Sequence, residues 1–399
     1  MKTFTQVEAE NGGKFPGFAV LRHLLAAAVL VHHGRGLISG ALAVPEGDGG
    51  GQIGLLDRLA ALPHILTTFD ALKPGVFAEV AAFFALSGFL VTASAMRTGD
   101  VRNFLTLRAL RIVPALTTVV VLSAVLLGAA VTTLPLTSYF LNADFWLYFR
   151  NMVGLVVYAL PGVFPHNPVP DNVNANLWTL FPEICCYLAL AAMIATGALR
   201  DRRILGWAVV ASALAIFALT EPGAQWVSTR VWDKHFEGWF IAWIFMGGGA
   251  FYRFADRIPF SAPAAAASFA VYYFGMLLRI PDVVSAPFLI YATIAFGALR
   301  FPRLRHFDTH DYSYGIYLYG YPISQTLVFV LIGLGLLPNS LLGSIPVIAA
   351  ALALTAAFSA FSWRTIEKPA LAWKRAIPSA ARDASGGIRE AIITPSAAR

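Results

Sequence analysis

The 399-residue sequence contains very little charge. Only 13% of its residues are charged, 58% are hydrophobic, and the mean hydropathy is +0.67. A soluble protein of this length does not have so apolar a composition, so the chain is predicted to be a polytopic protein of the lipid bilayer. The apolar runs also lack the alternating pattern of a β-barrel, which favours an all-α bundle of membrane helices.

The sequence lacks several features that define other classes of membrane protein. Its two cysteines, Cys185 and Cys186, are adjacent in an apolar run, so they cannot form an ordinary disulfide and are too few for a metal site. No metal is therefore expected. The first residues contain no short apolar region with a cleavage site, so no cleaved signal peptide is expected. Neither a nucleotide-binding loop nor an internal repeat is evident, which disfavours a transporter built from inverted halves.

Ten apolar runs are long enough to cross a bilayer as helices. The predicted spans are 18–38, 76–96, 110–134, 178–197, 204–220, 238–254, 262–279, 283–300, 312–334 and 341–363. About three-quarters of the 29 lysines and arginines fall in segments that are cytoplasmic if the N-terminus is inside. This bias predicts that both termini are cytoplasmic.

The predicted organisation is a single transmembrane domain between two tails. The tails are a cytoplasmic N-terminal segment, 1–17, and a cytoplasmic, disordered C-terminal segment, 371–399, and the transmembrane domain is 18–370. The net charge of +7 follows from this topology and from attraction to an anionic leaflet. It does not indicate a nucleic-acid partner.

The first predicted span carries ionisable residues where a membrane helix usually has none. Arg22 and His33 are eleven residues apart, about 20° beyond three full turns, so they share one helix face roughly 16 Å apart along the axis. His23 and His32 point elsewhere. Such residues usually face a bundle interior and serve a functional site. The alternative is that Arg22 reaches the headgroups and His33 lies at the far interface.

Further candidate residues lie at both ends of later spans. Arg108 and Arg111 are three residues apart at the cytoplasmic end of the third span, where they could hold the phosphates of a cytosolic ligand or anionic lipid headgroups. Glu183 follows Trp178 near the outer end of the fourth span, at the predicted depth of His33. A carboxylate at that depth requires a partner, whereas Trp178 alone is typical of an interfacial aromatic belt.

Two other patterns concern packing and polarity. Ser87 and Gly88 in the second span, and the glycines 247–249 in the sixth, are most simply explained by close helix packing. The ninth span begins with DYSYGIYLYGYPI, an unusual run of tyrosines that includes Tyr317. Because tyrosine combines an apolar ring with a hydroxyl, this run is predicted to line a polar cavity.

Together these segments make the chain resemble acyltransferase family 3, whose members transfer acyl groups, most often acetyl, onto extracytoplasmic acceptors. Five landmarks in the right order carry the resemblance, over about residues 18–370. They are Arg22 with His33, the stretch FFALSGFL, Arg108 with Arg111, the motif from Trp178 to Glu183, and Ile366 to Pro369.

The resemblance implies an enzyme of the bacterial inner membrane that moves an acyl group, expected to be acetyl, from cytosolic acyl-CoA to a hydroxyl of a cell-surface polysaccharide or other extracytoplasmic glycan. It implies that His33 is essential, and we interpret His33 as the general base, or as a transient acyl carrier, with Glu183 orienting its ring. Arg108 and Arg111 would hold the CoA phosphates, and Arg22 would contact the pantetheine arm or a phosphate. The alternatives are a glycan or lipid translocator without chemistry and an enzyme that acylates a small secreted molecule.

The sequence departs from the family pattern at two positions. Ala81 occupies the place of an acidic residue that precedes the paired phenylalanines of the second helix, with Glu79 as a possible substitute. Gly320 occupies the place of a histidine in the ninth helix, which puts in doubt a chemical role for that helix.

Overall fold

The computed structural model describes residues 1–40, 55–66, 69–220, 238–304 and 306–373. All regular structure in these residues is helical, apart from one isolated bridge between Thr3 and Pro259. The predicted all-α class is confirmed. The C-terminal tail expected at 371–399 lies outside the described residues from 374 onwards.

Among the described residues, ten long helices follow the order of the predicted spans. They are α1 (Gly17–Ser39), α2 (Lys73–Thr98), α3 (Val101–Val121), α4 (Leu180–Ala195), α5 (Arg202–Thr220), α6 (Gly238–Phe254), α7 (Ala262–Leu277), α8 (Asp282–Ala298), α9 (Ser313–Gly333) and α10 (Leu341–Ser362). π-Helical segments continue α3 through Leu122–Gly128 and α10 through Trp363–Glu367.

Shorter elements connect the long helices. The short α-helices are Phe4–Glu10, Leu55–Ile65, Ala129–Val131, Leu136–Leu141, Ala143–Leu147, His306–Thr309 and Lys368–Ala372, and the 3₁₀ segments are Phe69–Leu72, Tyr148–Val153, Ala175–Thr179, Ala198–Arg200 and Pro302–Leu304. The first segment of the chain is more than a tail, because the fully buried Phe4 packs edge-on against Phe251, Phe260 and Tyr291.

Within the described residues, six helical stretches are long and apolar enough to cross a membrane. They are Gly17–Ser39, Lys73–Thr98, Val101–Val131, Ala175–Ala195, Ser313–Gly333 and Leu342–Ala372. Helices α7 and α8 are apolar but have only 16 and 17 residues. The chain is therefore a multi-pass helical membrane protein, and the count of ten spans stays a prediction.

Helix α2 lies at the centre of the bundle, where it contacts α1, α3, α4, α6, α7 and α8. Its closest approach is to α6. A Cβ atom added at Gly88 would overlap the backbone carbonyl of Phe245, and one added at Gly248 would overlap that of Ala85. The close packing predicted from these glycines is confirmed, and it brings the two backbones into direct contact.

We expect the Gly88→Ala substitution to destabilise the bundle strongly. The added methyl group meets backbone that cannot move aside, and overpacking of this kind typically costs about 1–3 kcal/mol. The matched control is Gly333→Ala at the end of α9, where no atom lies within 4 Å of the added methyl. Thermal unfolding in detergent should show a clearly lower midpoint for Gly88→Ala alone, and equal midpoints would contradict the close contact.

Candidate active site

The tyrosines of α9 divide between two faces of the helix. Tyr314, Tyr317 and Tyr321 are three and four residues apart, which places them on one face. Tyr319 points to another side, where its hydroxyl lies 3.0 Å from Ser362 of α10. The tyrosines of the run therefore cannot all line the same cavity.

That face of α9 lines an inner cavity of about 160 Å³ between α1, α2, α3, α4 and α9. Its polar lining consists of Arg22, Ser87, Arg108, Arg111, Thr179, Glu183, Tyr187, Ser313, Tyr314 and Tyr317, and its apolar lining comes mainly from α2. Seven residues were predicted for the site, with Trp178 and Tyr317 as substrate-binding residues beside the charged groups and His33. Five of them line this cavity: Arg22, Arg108, Arg111, Glu183 and Tyr317. The sequence interpretation of a polar interior is consistent with this arrangement.

Two of the cavity arginines share one carboxylate. The Arg111 guanidinium is 2.9 Å from Asp311, and the Arg22 guanidinium is 3.4 Å from the same oxygen. Burial alone would raise the pKa of Asp311, but the charges of Arg111 and Arg22 lower it well below its usual range. Ser313 donates a hydrogen bond to the other oxygen, at 2.5 Å. Asp311 thus holds both guanidiniums at the cavity as a charged group.

Glu367 approaches Arg111 from the opposite side. This carboxylate is only 2% exposed and lies 3.6 Å from the Arg111 guanidinium, which also lies 5.3 Å from the centre of the Tyr314 ring. Glu367 belongs to the π-helical continuation of α10, an irregularity that is frequent at functional sites. We call Arg22, Arg111, Asp311 and Glu367 the arginine–carboxylate cluster.

The start of α4 places Glu183 in the cavity. Asn176 donates to the Tyr317 carbonyl at 2.6 Å, and the Thr179 and Tyr317 hydroxyls are 2.8 Å apart, so the 3₁₀ segment Ala175–Thr179 is tied to α9. Helix α4 then begins at Leu180, with Glu183 in its first turn. The Tyr187 hydroxyl donates to the Glu183 carboxylate.

The third arginine, Arg108, lies beside these residues. Its guanidinium is 6.0 Å from the centre of the Tyr187 ring and donates to the Ser94 hydroxyl at 3.4 Å. The predicted common face of Arg108 and Arg111 is confirmed, since both line the inner cavity. Both arginines lie beside a tyrosine ring. Arg111 also pairs with the carboxylates of Asp311 and Glu367, whereas Arg108 donates to a hydroxyl, so the positive charge of Arg108 suits an anionic ligand.

His33 does not line this cavity. Its ring is 5.4 Å from the Tyr321 ring in an edge-on arrangement. Tyr321 follows Tyr317 by one turn of α9, or about 6 Å. The structure therefore does not place His33 and Glu183 in one cavity, although the prediction assigned them a common depth. Trp178 also lies outside the cavity lining, half-buried against the hydrophobic core.

The two departures from the family pattern have clear structural consequences. A Cβ atom at Gly320 would lie 2.9 Å from Leu30, so this position forms a tight contact between α9 and α1. Glu79 lines a separate, apolar cavity between α1, α2, α7 and α8. Neither Glu79 nor Ala81 lines the inner cavity.

Sequence reasoning missed Asp311 and Tyr187 as site residues. Asp311 directly precedes the tyrosine run, a position that could have signalled a charge at the helix start. Tyr187 follows Glu183 by four residues, the spacing at which helix neighbours touch. An acidic residue before a helix and a tyrosine four residues after a glutamate are both common, so neither pattern by itself indicates a site.

The fold and site together define a class: a multi-pass helical membrane protein with a cationic cavity inside the bundle. A sequence model described as an acyltransferase domain matches residues 20–364. The chain therefore belongs to acyltransferase family 3 and is an acyltransferase.

Two curated relatives are similar over most of their length. The O-acetyl transferase of Shigella phage Sf6 is 25% identical over 302 residues, which cover 72% of this chain and 83% of that protein. Nodulation protein 10 of Rhizobium leguminosarum bv. viciae is 28% identical over 351 residues, which cover 76% of this chain and 84% of that protein. No solved structure matches the chain.

Proposed function

We propose that this acyltransferase moves an acetyl group from cytosolic acetyl-CoA to a hydroxyl of a cell-surface polysaccharide or other extracytoplasmic glycan in a bacterial inner membrane. The observation that carries the proposal is the inner cavity, where Arg22, Arg108 and Arg111 meet inside the bundle. Buried guanidiniums bind phosphates and carbonyl oxygens well. The similarity to an O-acetyl transferase supports acetyl as the group and oxygen as the acceptor atom.

The proposed topology has ten spans with both termini in the cytoplasm. In this orientation α1 enters from the cytoplasm, so Arg22 lies nearer the inner face and His33 nearer the outer face. Acyl-CoA is too polar to cross the bilayer, so it reaches Arg22 first. Arg108 and Arg111 would hold donor phosphates or the amides of the pantetheine arm.

The acceptor hydroxyl arrives from outside and meets His33. A hydroxyl needs a base to attack a thioester, and neutral imidazole, with a reference pKa of about 6.5, suits this role. His33 would take the hydroxyl proton as the oxygen bonds to the thioester carbon. The carbon–sulfur bond then breaks, and the His33 imidazolium gives the proton to the CoA thiolate, which restores the neutral base.

Glu183, Tyr317 and Trp178 have supporting roles in this proposal. Because Glu183 and Tyr317 line the inner cavity, they would contact the thioester and its arm. Trp178 directly precedes Thr179, whose hydroxyl is hydrogen-bonded to that of Tyr317. Trp178 would therefore help to position this part of the site. The role first assigned to Glu183, orientation of the His33 ring, stays a prediction.

Two alternatives differ from this function in the chemistry or in the acceptor. A translocator without chemistry is disfavoured by membership of an acyltransferase family. Acylation of a small secreted molecule would use the same residues and differ only in the acceptor.

The direct test is the acetyl content of surface glycans from a strain that lacks the gene. Deletion should lower the ester-linked acetyl content of one glycan fraction, the wild-type gene should restore it, and the His33→Ala gene should not. Unchanged acetyl content in every fraction would contradict the proposed acceptor class.

A further inference from the structure

A third cavity lies next to the inner cavity, on the side proposed to face the cytoplasm. This vestibule has a volume of about 730 Å³, within the usual range of small-molecule sites. Four basic residues line it: Lys14, Arg22, Arg97 and Arg300. Apolar lining comes from rings that include Phe15, Phe18 and Phe301.

The vestibule and the inner cavity meet at shared residues. Arg22 and Leu90 line both of them. Arg22 is held at this junction by Asp311, 3.4 Å away. A ligand with a charged head and a slender arm could therefore place its head in the vestibule and its arm past Arg22.

The charge of the vestibule is positive despite two carboxylates in its wall. Glu10 forms an ion pair with Lys2 at 2.8 Å, so its charge is matched by a residue that does not line the vestibule. Burial raises the pKa of Glu8, although Arg97 opposes this shift. Two acidic groups thus face four basic ones, which favours an anion.

Hydrogen bonds between distant segments of the chain hold part of the vestibule wall. The Arg300 guanidinium donates to the Asn11 side chain at 2.5 Å and to the Glu10 carbonyl at 3.2 Å. These bonds tie the end of the first short helix to the segment after α8. Phe4, which is fully buried, anchors the same helix. Arg300 and Arg22 are therefore held in the wall of the vestibule, and Lys14 and Arg97 line it at exposed positions.

We propose that the vestibule binds the phosphorylated nucleotide end of the acyl donor, so that the donor arm passes Arg22 and Leu90 and delivers the thioester to the inner cavity. This inference rests on the proposed function, because it takes acyl-CoA as the donor. Phosphates of the nucleotide match Lys14, Arg97 and Arg300, and the arm would pass the junction that Arg22 and Leu90 form between the two cavities. A phospholipid headgroup offers the same phosphate chemistry and is distinguished by the experiment.

The experiment measures equilibrium binding of CoA to the purified full chain in lipid nanodiscs. In the Lys14→Gln/Arg97→Gln double variant we expect CoA affinity to fall at least tenfold. Adenosine 3′,5′-bisphosphate, which carries the charges but not the arm, should displace CoA from the wild type and lose this ability to the same degree in the variant. The control Arg303→Gln removes an exposed arginine near the vestibule that does not line it, and should bind as the wild type does.

Three outcomes would overturn the inference. They are an unchanged CoA affinity in the double variant, equal losses in the Arg303→Gln control, and an effect that occurs with anionic phosphatidylglycerol but vanishes in phosphatidylcholine alone. The last outcome would assign these residues to lipid headgroups. Because binding requires no acceptor, failure of the glycan assignment would leave this result standing, whereas a wild type that binds no CoA would refute both the vestibule and the donor.

Discussion

His33→Ala should lower acyl transfer by about 100- to 10,000-fold while leaving the protein folded in the membrane. General-base catalysis typically contributes a factor of this size. The ring lies beside Tyr321 and outside the arginine–carboxylate cluster, so its removal leaves the ion pairs of the inner cavity intact. Transfer of labelled acetyl groups into glycan, normalised to the amount of membrane-inserted protein, measures the effect.

The adjacent histidine provides the matched control. His32 is one residue away, about 100° around the helix, so it does not share the face of Arg22 and His33. His32→Ala should keep most of the activity. If His32→Ala is inactive and His33→Ala is active, the helical-face argument is wrong and the site has to be rebuilt around His32.

Asp311→Asn should cause the second largest loss, in both stability and donor affinity. The change keeps the size of the side chain but removes the negative charge shared by Arg22 and Arg111. Breaking a buried ion pair by removing one partner costs about 3–5 kcal/mol. We expect a lower unfolding midpoint and at least a tenfold weaker affinity for CoA, because Arg22 and Arg111 lose the group that positions them.

The pH dependence of the Asp311→Asn effect tests whether the Asp311 carboxylate is charged in the folded protein. Its pKa is lowered in the folded protein, so its stabilisation is present above the unfolded-state value of about 3.9 and is lost only as the pH falls through the lower folded value. The stability difference between wild type and Asp311→Asn should therefore stay constant from pH 8 to pH 5.

Asp256→Asn is the control for this substitution. Asp256 also bonds an arginine, Arg202, at 2.9 Å, but at an exposed position. Exposed pairs contribute little, so this variant should behave like the wild type. Equal effects of the two substitutions would contradict a special role for Asp311.

Much of the architecture followed from hydropathy alone. In the part of the chain that the structure describes, long helices occur where each apolar run was predicted, because an apolar run in lipid must satisfy its own backbone hydrogen bonds. The close approach of α2 and α6 was also predictable, since Gly88 and the glycines 247–249 interrupt bulky runs. The hydropathy of a run and the position of its glycines are local properties, so they can be read from the sequence.

The depth of Glu183 was not predictable in the same way. Hydropathy assigned it to the outer end of a span, level with His33. In the structure, Asn176 and Thr179 bind Tyr317, so that α4 begins inside the bundle and Glu183 lines the inner cavity. Contacts between residues about 140 positions apart determine this depth, and one sequence does not reveal them.

Asp311 was missed for a related reason. It lies two residues before α9, in a segment that hydropathy treats as a polar connection. Its importance comes from Arg22 and Arg111, which reach it from two other helices. The same pairing explains why Arg22 and Arg111 can occupy the interior of an apolar bundle.

The central claim is that the donor enters from the cytoplasmic face and the acceptor from the opposite face. The most direct measurement compares sealed inside-out and right-side-out membrane vesicles that contain the protein and its native glycans, given labelled acetyl-CoA outside. The account predicts labelled glycan in inside-out vesicles with the wild type, none with His33→Ala, and none in right-side-out vesicles. Labelling of right-side-out vesicles that are shown to be sealed would contradict it.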